Sequence, residues 1–298
     1  MAAVRFRYSG SILRTIRLPV FTSGECHSKN AAVARRVHFH PMSSFRFAFV
    51  FRVLTIVSVC LTFAQAAPKV IRPEILAVLP HDSTSFTQGL LWLDGRLYES
   101  SGLYGSSSLR ELNPTTGAVL RIHTVPHQYF AEGLAQFHGE LIQLTWKEET
   151  AFRYPIKNWD HLAKFSYRGE GWGLTSMGPY LWMSNGSDTL YRRNGAFRIT
   201  EKVAVKLGAN PVDRLNELEA VSGKIVANIW YSDSLVIVDP RDGRVLALVD
   251  ASALVAKSGR RSRDDVLNGV AYDARKKSFF ITGKNWPKMF KARLPFAF

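Results

Sequence analysis

The chain has 298 residues, of which 46% are hydrophobic, and a formal net charge of +15. This composition excludes a disordered chain, and the length fits one or two domains. The first 66 residues hold nine basic residues against one acid, Glu25, and so carry +8 of the net charge. Because over half of the excess charge lies in a segment that we place outside the fold, we predict no nucleic-acid partner.

A leader is predicted at residues 47–66, which read FAFVFRVLTIVSVCLTFAQA. The apolar run Val53–Phe63 is shorter than the roughly 20 residues that a membrane span needs. It ends at Ala64-Gln65-Ala66, which has the small-x-small pattern of a signal-peptidase site. We therefore expect cleavage after Ala66, a secreted or periplasmic protein, and no stable membrane insertion after signal cleavage. An uncleaved anchor is the alternative.

Two parts of the chain are predicted: a basic extension with a signal peptide over residues 1–66, and a single domain over residues 67–298. The residues before Met42 are either a real extension or precede the true start, and we favour Met42 as the start because the signal peptide then has an ordinary length. Both cysteines, Cys26 and Cys60, lie in the first part. Residues 67–298 therefore offer no disulfide, cysteine nucleophile or cysteine-bound metal.

The second part repeats one unit five times. Each unit has a short apolar strand, a tight polar turn and a second apolar strand, and the units start 40 to 52 residues apart at Gly89, Gly133, Gly173, Glu217 and Gly269. Such a period with several strands per unit predicts propeller blades. Helical repeats are disfavoured by strand patterning such as Leu235–Val238 and by turn signals such as Asp239–Gly243.

Further strands fill the intervals between these hairpins. They are predicted at Leu109–Leu112, Ala118–His123, Ser234–Val238 and Val245–Val249. The fifth unit ends after Met289–Leu294, one strand short, and Glu74–Leu79 is a spare strand before the first unit. Pairing the spare strand with the last unit removes exposed sheet edges. The prediction is an all-β fold, a five-bladed β-propeller closed by an N-terminal strand.

Polar and aromatic residues recur at two equivalent places in these units. The residues before the repeat starts are Gln88, Glu132, Trp172, Asn216 and Asn268, and those closing the second strands are Ser100, Trp146, Asn185, Trp230 and Lys284. Equivalent positions in propeller blades converge on the central channel. A buried polar group costs about 1–3 kcal/mol if unpaired, so these positions predict a functional site. For a single Asn or Ser, bonding to backbone at a blade end fits equally well.

Seven segments of the second part carry a family resemblance: Phe86–Leu90, Glu99–Gly105, Tyr129–Leu134, Gly171–Leu174, Leu215–Glu219, Asp265–Gly269 and Thr282–Lys288. Together and in this order they resemble the plant-type glutaminyl cyclases. The resemblance runs from about Pro80 to Leu294. It implies a five-bladed propeller that converts the N-terminal glutamine of peptides or proteins to pyroglutamate and releases ammonia. We expect a monomer.

The resemblance also assigns the pocket. It places there Phe86, Gln88, Glu132, Trp146, Trp172, Asn216, Trp230 and Lys284. Glu132 is expected to shuttle the proton, because indoles around a carboxyl group raise its pKa. Lys284 and Asn216 are expected to donate to the oxyanion, with an indole N–H of Trp230 or Trp146 as a third donor. The other aromatic residues and Gln88 are expected to bind the substrate.

No cofactor and no metal is expected. His123 and His127 are the closely spaced pair among the five histidines after residue 66, and we interpret them as exposed loop residues. Two other classes stay open. One is a calcium-dependent, lactonase-like propeller hydrolase, with a site formed by Asn185, Asn216, Asn268 and Glu132. The other is a non-enzymatic propeller that binds partners through its faces.

Overall fold

A computed structural model of the protein describes residues 68–159 and 163–298. These residues form 23 β-strands and one short helix. The predicted signal peptide, its cleavage after Ala66 and the start at Met42 lie outside the described residues, as do Cys26 and Cys60. Within the two described ranges, no helix is both long and apolar enough to cross a membrane.

The strands follow one another with short connections. The first ten are β1 (Lys69–Ile71), β2 (Glu74–Pro80), β3 (Thr87–Leu93), β4 (Arg96–Ser101), β5 (Ser108–Leu112), β6 (Val119–Thr124), β7 (Ala131–Phe137), β8 (Glu140–Thr145), β9 (Thr150–Pro155) and β10 (Ala163–Ser166). The next ten are β11 (Leu174–Met177), β12 (Tyr180–Met183), β13 (Thr189–Arg193), β14 (Ile199–Ala204), β15 (Lys206–Leu207), β16 (Asn210–Pro211), β17 (Leu215–Val221), β18 (Lys224–Ile229), β19 (Ser234–Asp239) and β20 (Arg244–Asp250). The helix α1 (Ser252–Lys257) precedes β21 (Leu267–Asp273), β22 (Ser278–Gly283) and β23 (Lys288–Arg293).

Antiparallel pairing of consecutive strands builds five sheets. Three of them contain four consecutive strands each, β3 to β6, β7 to β10 and β11 to β14. The fourth contains β17 to β20 and is extended beyond β20 by β15, β16 and β1. The fifth contains β21 to β23 and, beside β23, β2. Tight polar turns allow this direct pairing of neighbours in the chain.

The strand β2 lies where the spare strand Glu74–Leu79 is predicted. It is antiparallel to β23, with Val78 opposite Phe290 and Leu79 opposite Met289. The fifth sheet therefore combines strands from the two ends of the described chain.

The first strands of the five sheets are neighbours in a ring. Contacts run from β3 to β7, β11, β17 and β21 in turn, and β21 contacts β3. The glycines of the repeat make this approach possible: a Cβ on Gly133 would lie 2.5 Å from the Leu174 nitrogen, and one on Gly173 would overlap the Asn216 carbonyl oxygen. Strands arranged in this way form an all-β propeller, so the predicted fold class is confirmed at this level.

The core consists of apolar layers between adjacent sheets. On β19, Leu235 and Ile237 pack in the layer shared with Ile281 of the fifth sheet. The alternate residues Val236 and Val238 face the layer shared with Leu190 of the third sheet. Because both faces of this strand are buried, its sequence is a continuous apolar run rather than an alternating one.

Candidate functional site

Four of the five first strands carry a bulge at the same place. The register shifts lie between Thr87 and Gly89, Ala131 and Leu134, Leu215 and Leu218, and Leu267 and Val270. A bulge leaves a residue unpaired and re-aims its side chain. The residues in these bulges include Gln88, Glu132, Asn216 and Asn268, which are all buried. The bulges thus interrupt the hydrogen-bond ladder between the first and second strands at the polar residues of the repeat.

Three of these side chains form a hydrogen-bonded chain across adjacent sheets. The Asn268 side-chain amide donates to the Gln88 Oε1 at 3.2 Å and to the Thr87 carbonyl at 2.9 Å. Gln88 Nε2 in turn donates to Glu132 Oε1 at 2.9 Å. Gln88, expected from the sequence to bind substrate, therefore orients the Glu132 carboxyl group in this structure.

Glu132 has the electrostatic environment of a proton-transfer group. Its side chain is buried, with the residue only 4% exposed. Burial raises the pKa of the Glu132 carboxyl well above its ordinary value, the Lys284 ammonium opposes this rise, and the Glu170 and Glu148 carboxylates add to it. A carboxyl group of this kind can both take and return a proton near neutral pH.

Lys284 lies directly after β22 and is 4% exposed. Its backbone N–H donates to the Val266 carbonyl at 2.9 Å, and its Nζ lies 4.6 Å from the centroid of the Phe86 ring. Burial lowers the pKa of the Lys284 ammonium to about 8, while the Glu132 carboxylate raises it. No carboxylate among the described residues forms an ion pair with Lys284, so its N–H groups can serve a ligand.

Asn216 also keeps hydrogen-bonding capacity. Its side chain is buried, and its Oδ1 has no hydrogen-bond partner among the described residues. Its backbone is fixed, because the carbonyl accepts a hydrogen bond from Ser184 Oγ at 2.6 Å. A buried acceptor without a partner is costly unless a ligand satisfies it, and the Asn216 side chain therefore fits a ligand-binding role.

Aromatic side chains surround these polar groups. The Trp172 and Trp230 rings meet edge to face at 5.4 Å. Phe130 contacts Trp146 at 5.6 Å and Phe86 at 6.1 Å between ring centroids. All five residues, which we call the aromatic wall, are half-buried, so their side chains are partly accessible. Phe130 was not identified from the sequence, although it precedes β7 by one residue.

A second carboxylate, Glu170, contacts two residues of the aromatic wall and was also not identified from the sequence. Its Oε2 accepts hydrogen bonds from Trp146 Nε1 and Trp172 Nε1, each at 2.9 Å. The indole of Trp146 was one of two expected donors to the oxyanion, with that of Trp230 as the other; in the structure described, the Trp146 N–H donates to Glu170 instead.

Two other repeat positions have structural partners. Ser100 Oγ accepts from Gln143 Nε2 at 2.8 Å. Asn185 Oδ1 accepts from the backbone N–H and the hydroxyl of Ser187 at 3.2 and 2.6 Å, inside its own turn. The postulated calcium site loses this oxygen ligand. In the part of the chain that is described, no three His, Cys, Asp or Glu side chains cluster as metal ligands.

Other buried carboxylates link elements of the fold. Glu217 accepts from the Leu90 and Val270 backbone N–H groups at 3.2 and 2.9 Å, and so links three sheets. Glu99 pairs with His81 at 2.9 Å. The sequence did not predict these contacts, because only the fold brings Glu217 and Glu99 to their partners.

Comparison with known proteins gives three agreeing results. The profile of the glutamine cyclotransferase family matches residues 50–294. A glutaminyl-peptide cyclotransferase of Arabidopsis thaliana is 39% identical over 227 residues, which are 74% of this chain and 71% of that protein. The crystal structure of the Myxococcus xanthus glutaminyl cyclase aligns with a TM-score of 0.72 and 34% identity, covering 76% of this chain and 98% of that one.

Proposed function

This chain belongs to the glutamine cyclotransferase family, and we propose that its catalytic centre is the buried pair of Glu132 and Lys284. The protein is a glutaminyl-peptide cyclotransferase, an acyltransferase that closes an N-terminal glutamine to pyroglutamate and releases ammonia. The observation that carries the site assignment is the burial of an acid with a raised pKa near a lysine with a lowered one.

Glu132 serves as base and then as acid. The α-amino nitrogen of the substrate forms a bond to its own γ-carbonyl carbon, and Glu132 takes the proton that this nitrogen loses. The carboxyl group then gives the proton to the amide nitrogen, the carbon–nitrogen bond breaks and ammonia leaves. The hydrogen bond from Gln88 keeps one carboxyl oxygen fixed through both transfers.

Lys284 and Asn216 stabilise the oxyanion that forms between the two steps. The γ-carbonyl oxygen becomes negative when the amine attacks, and donors already in place stabilise that charge without reorganisation. Lys284 has no competing ion pair among the described residues, so its ammonium can donate to the oxyanion. The proposed donor of Asn216 is its buried side-chain amide N–H, whereas its unpaired Oδ1 can only accept a hydrogen bond.

The aromatic wall brings the reacting atoms together. A glutamine side chain must fold back so that its amide meets its own α-amine, and a shaped pocket supplies much of this proximity. Phe86, Trp172 and Trp230 offer flat apolar faces for the side-chain methylenes, and Trp146 closes the wall beside Phe130. The proposed substrates are accordingly peptides and proteins that begin with glutamine.

We also propose that the five sheets are five blades of a propeller closed by β2. The support is the ring of contacts among the first strands and the pairing of β2 with β23. Joining strands from both ends of a chain in one blade protects its edges. We further propose export to the periplasm or the cell exterior, which the predicted leader and the Ala64-Gln65-Ala66 pattern support. A monomeric state is also proposed.

An isotope experiment tests the reaction. A peptide with an N-terminal glutamine labelled with nitrogen-15 at the side-chain amide should yield labelled ammonia and an unlabelled pyroglutamyl peptide. The same peptide with an acetylated α-amine should not react, because the nucleophile is blocked. Unlabelled ammonia, or hydrolysis of the acetylated peptide, would contradict intramolecular attack. Elemental analysis of the pure protein together with a lactone assay tests the calcium-dependent alternative.

A further inference from the structure

Glu170 lies in a segment that is fixed from several sides. The segment follows β10, and its Gly171 N–H donates to the Trp146 carbonyl at 2.9 Å. The Gly169 N–H donates to Glu149 Oε1 at 2.9 Å, and the Tyr167 hydroxyl bonds to the Thr145 carbonyl. A Cβ on Gly171 would collide with the Tyr167 hydroxyl. The position of the Glu170 backbone is therefore well determined relative to the end of β8.

One oxygen of Glu170 accepts hydrogen bonds from two tryptophans of the aromatic wall. Trp146 follows β8 in the second sheet, and Trp172 precedes β11 in the third, yet both indole N–H groups meet Glu170 Oε2 at 2.9 Å. Hydrogen bonds to a carboxylate are about twice as strong as bonds between neutral groups. Trp172 in turn packs against Trp230 of the fourth sheet. A single side chain thus fixes the spacing of the aromatic wall.

We propose that Glu170 is a positioning residue of the cyclase pocket, which holds Trp146 and Trp172 in the orientation that binds the glutaminyl side chain. This role rests on the proposed function, since it assigns the two indoles to substrate binding. We assign Glu170 no hydrogen bond to the substrate and no part in proton transfer. Its contribution passes through the two indoles and through its charge.

The charge of Glu170 provides a second, separable effect. The charged and titratable groups that act on or respond to Glu132 are Lys284, Glu170, Glu148, Tyr104 and Tyr167. Glu170 and Glu148 both raise the pKa of Glu132. Glu148, however, contacts Tyr104 and the Phe130 backbone instead of the indoles. Glu148→Gln is therefore a matched control that removes the charge and leaves both indole bonds in place.

The first measurement does not depend on activity. The sequence has seven tryptophans, so the labelled full-length protein should give seven indole N–H signals in a nitrogen–proton NMR spectrum. Phe substitutions of Trp146 and Trp172 identify their two signals. In Glu170→Ala, these two signals should move upfield by more than any others, because the N–H groups lose a charged acceptor. The signal of Trp286, which bonds to the Asp265 carbonyl, serves as the internal reference.

The second measurement separates binding from charge. Glu170→Ala should raise KM for a glutaminyl peptide by about tenfold or more, with kcat reduced by less than about threefold, as expected when a binding contact is lost. Glu170→Gln and Glu148→Gln should both move the acid limb of kcat/KM to lower pH, because each removes a charge that raises the pKa of Glu132. Glu148→Gln should leave KM unchanged, and Glu140→Gln, whose partner Arg153 lies on β9, should change neither quantity.

An unchanged KM in Glu170→Ala with unmoved signals of Trp146 and Trp172 would overturn the proposal. If the Ala variant does not fold, Glu170→Gln decides the matter, since the isosteric amide preserves packing and should still move the two signals and the acid limb. A wild-type protein without cyclase activity would refute the proposed function, whereas the NMR result would still report whether Glu170 holds the two indoles.

Discussion

Replacing Glu132 with glutamine should remove catalysis and leave the fold intact. The amide is isosteric with the carboxyl group, and its oxygen can still accept the hydrogen bond that Gln88 Nε2 makes at 2.9 Å. The neutral side chain also removes an acid whose ionised form is disfavoured by burial. We therefore expect an unchanged or slightly higher melting temperature and a loss of the proton shuttle.

The expected loss in kcat is about 10²–10⁴, the usual contribution of general acid–base catalysis. This corresponds to about 2.7–5.4 kcal/mol of activation free energy at 1.36 kcal/mol for each factor of ten. A second effect follows from the Glu132 carboxylate, which raises the pKa of Lys284. Without that carboxylate the Lys284 pKa should fall below about 8, so the basic limb of the residual activity should move to lower pH.

Steady-state kinetics over a range of pH and thermal unfolding together measure these effects. Glu217→Gln is the matched control, because Glu217 is also buried with a raised pKa but bonds to two backbone N–H groups. A glutamine there has one acceptor for two donors, so the variant should lose about 1–3 kcal/mol of stability and keep the turnover of its folded fraction. Turnover near the wild-type value in Glu132→Gln would refute the assignment.

Further predictions concern a second catalytic group, the buried acids and the leader. Lys284→Met should lower turnover by about 10²–10³, the loss typical of one oxyanion donor, with a nearly unchanged melting temperature; a large fall in melting temperature with normal turnover would show a structural lysine instead. The pKa of Glu219 is raised by burial from 4.5 to about 8. Its contribution to the free energy of unfolding is therefore fully present below pH 4.5 and is lost as the pH rises through about 8. Glu219→Gln should therefore melt several degrees above the wild type at about pH 9 and close to it at about pH 4, and equal melting temperatures at both pH values would contradict this. The mature protein should begin at Ala67, by N-terminal sequencing of exported material, and a start upstream of Phe47 would exclude the predicted cleavage.

The repeat made much of the ring predictable. A glycine followed by an apolar residue marks four of the five first strands, as the Gly133 and Leu174 contact illustrates, and the fourth unit has Glu217 instead. The polar residue beside that glycine, such as Glu132 or Asn268, then falls at an equivalent position in each unit. Because equivalent positions converge in a propeller, the sequence alone predicts that these side chains lie close together.

The aromatic wall and its support were not predictable in the same way. Glu170 and Phe130 lie in irregular segments between strands, where no repeat relates one unit to the next. Conversely, Ser100 and Asn185 occupy repeat positions but bond to neighbouring protein groups. Whether a polar residue serves the pocket or the backbone depends on partners that are distant in sequence, and only the folded chain brings them together.

Cyclase activity is tested by incubating the purified protein with a peptide that begins with glutamine, followed by mass spectrometry and an ammonia assay. We expect the peptide to lose one ammonia molecule far faster than in buffer, and Glu132→Gln to reduce this rate by about 10²–10⁴. Conversion by the wild-type protein at the rate of the buffer blank would contradict this expectation.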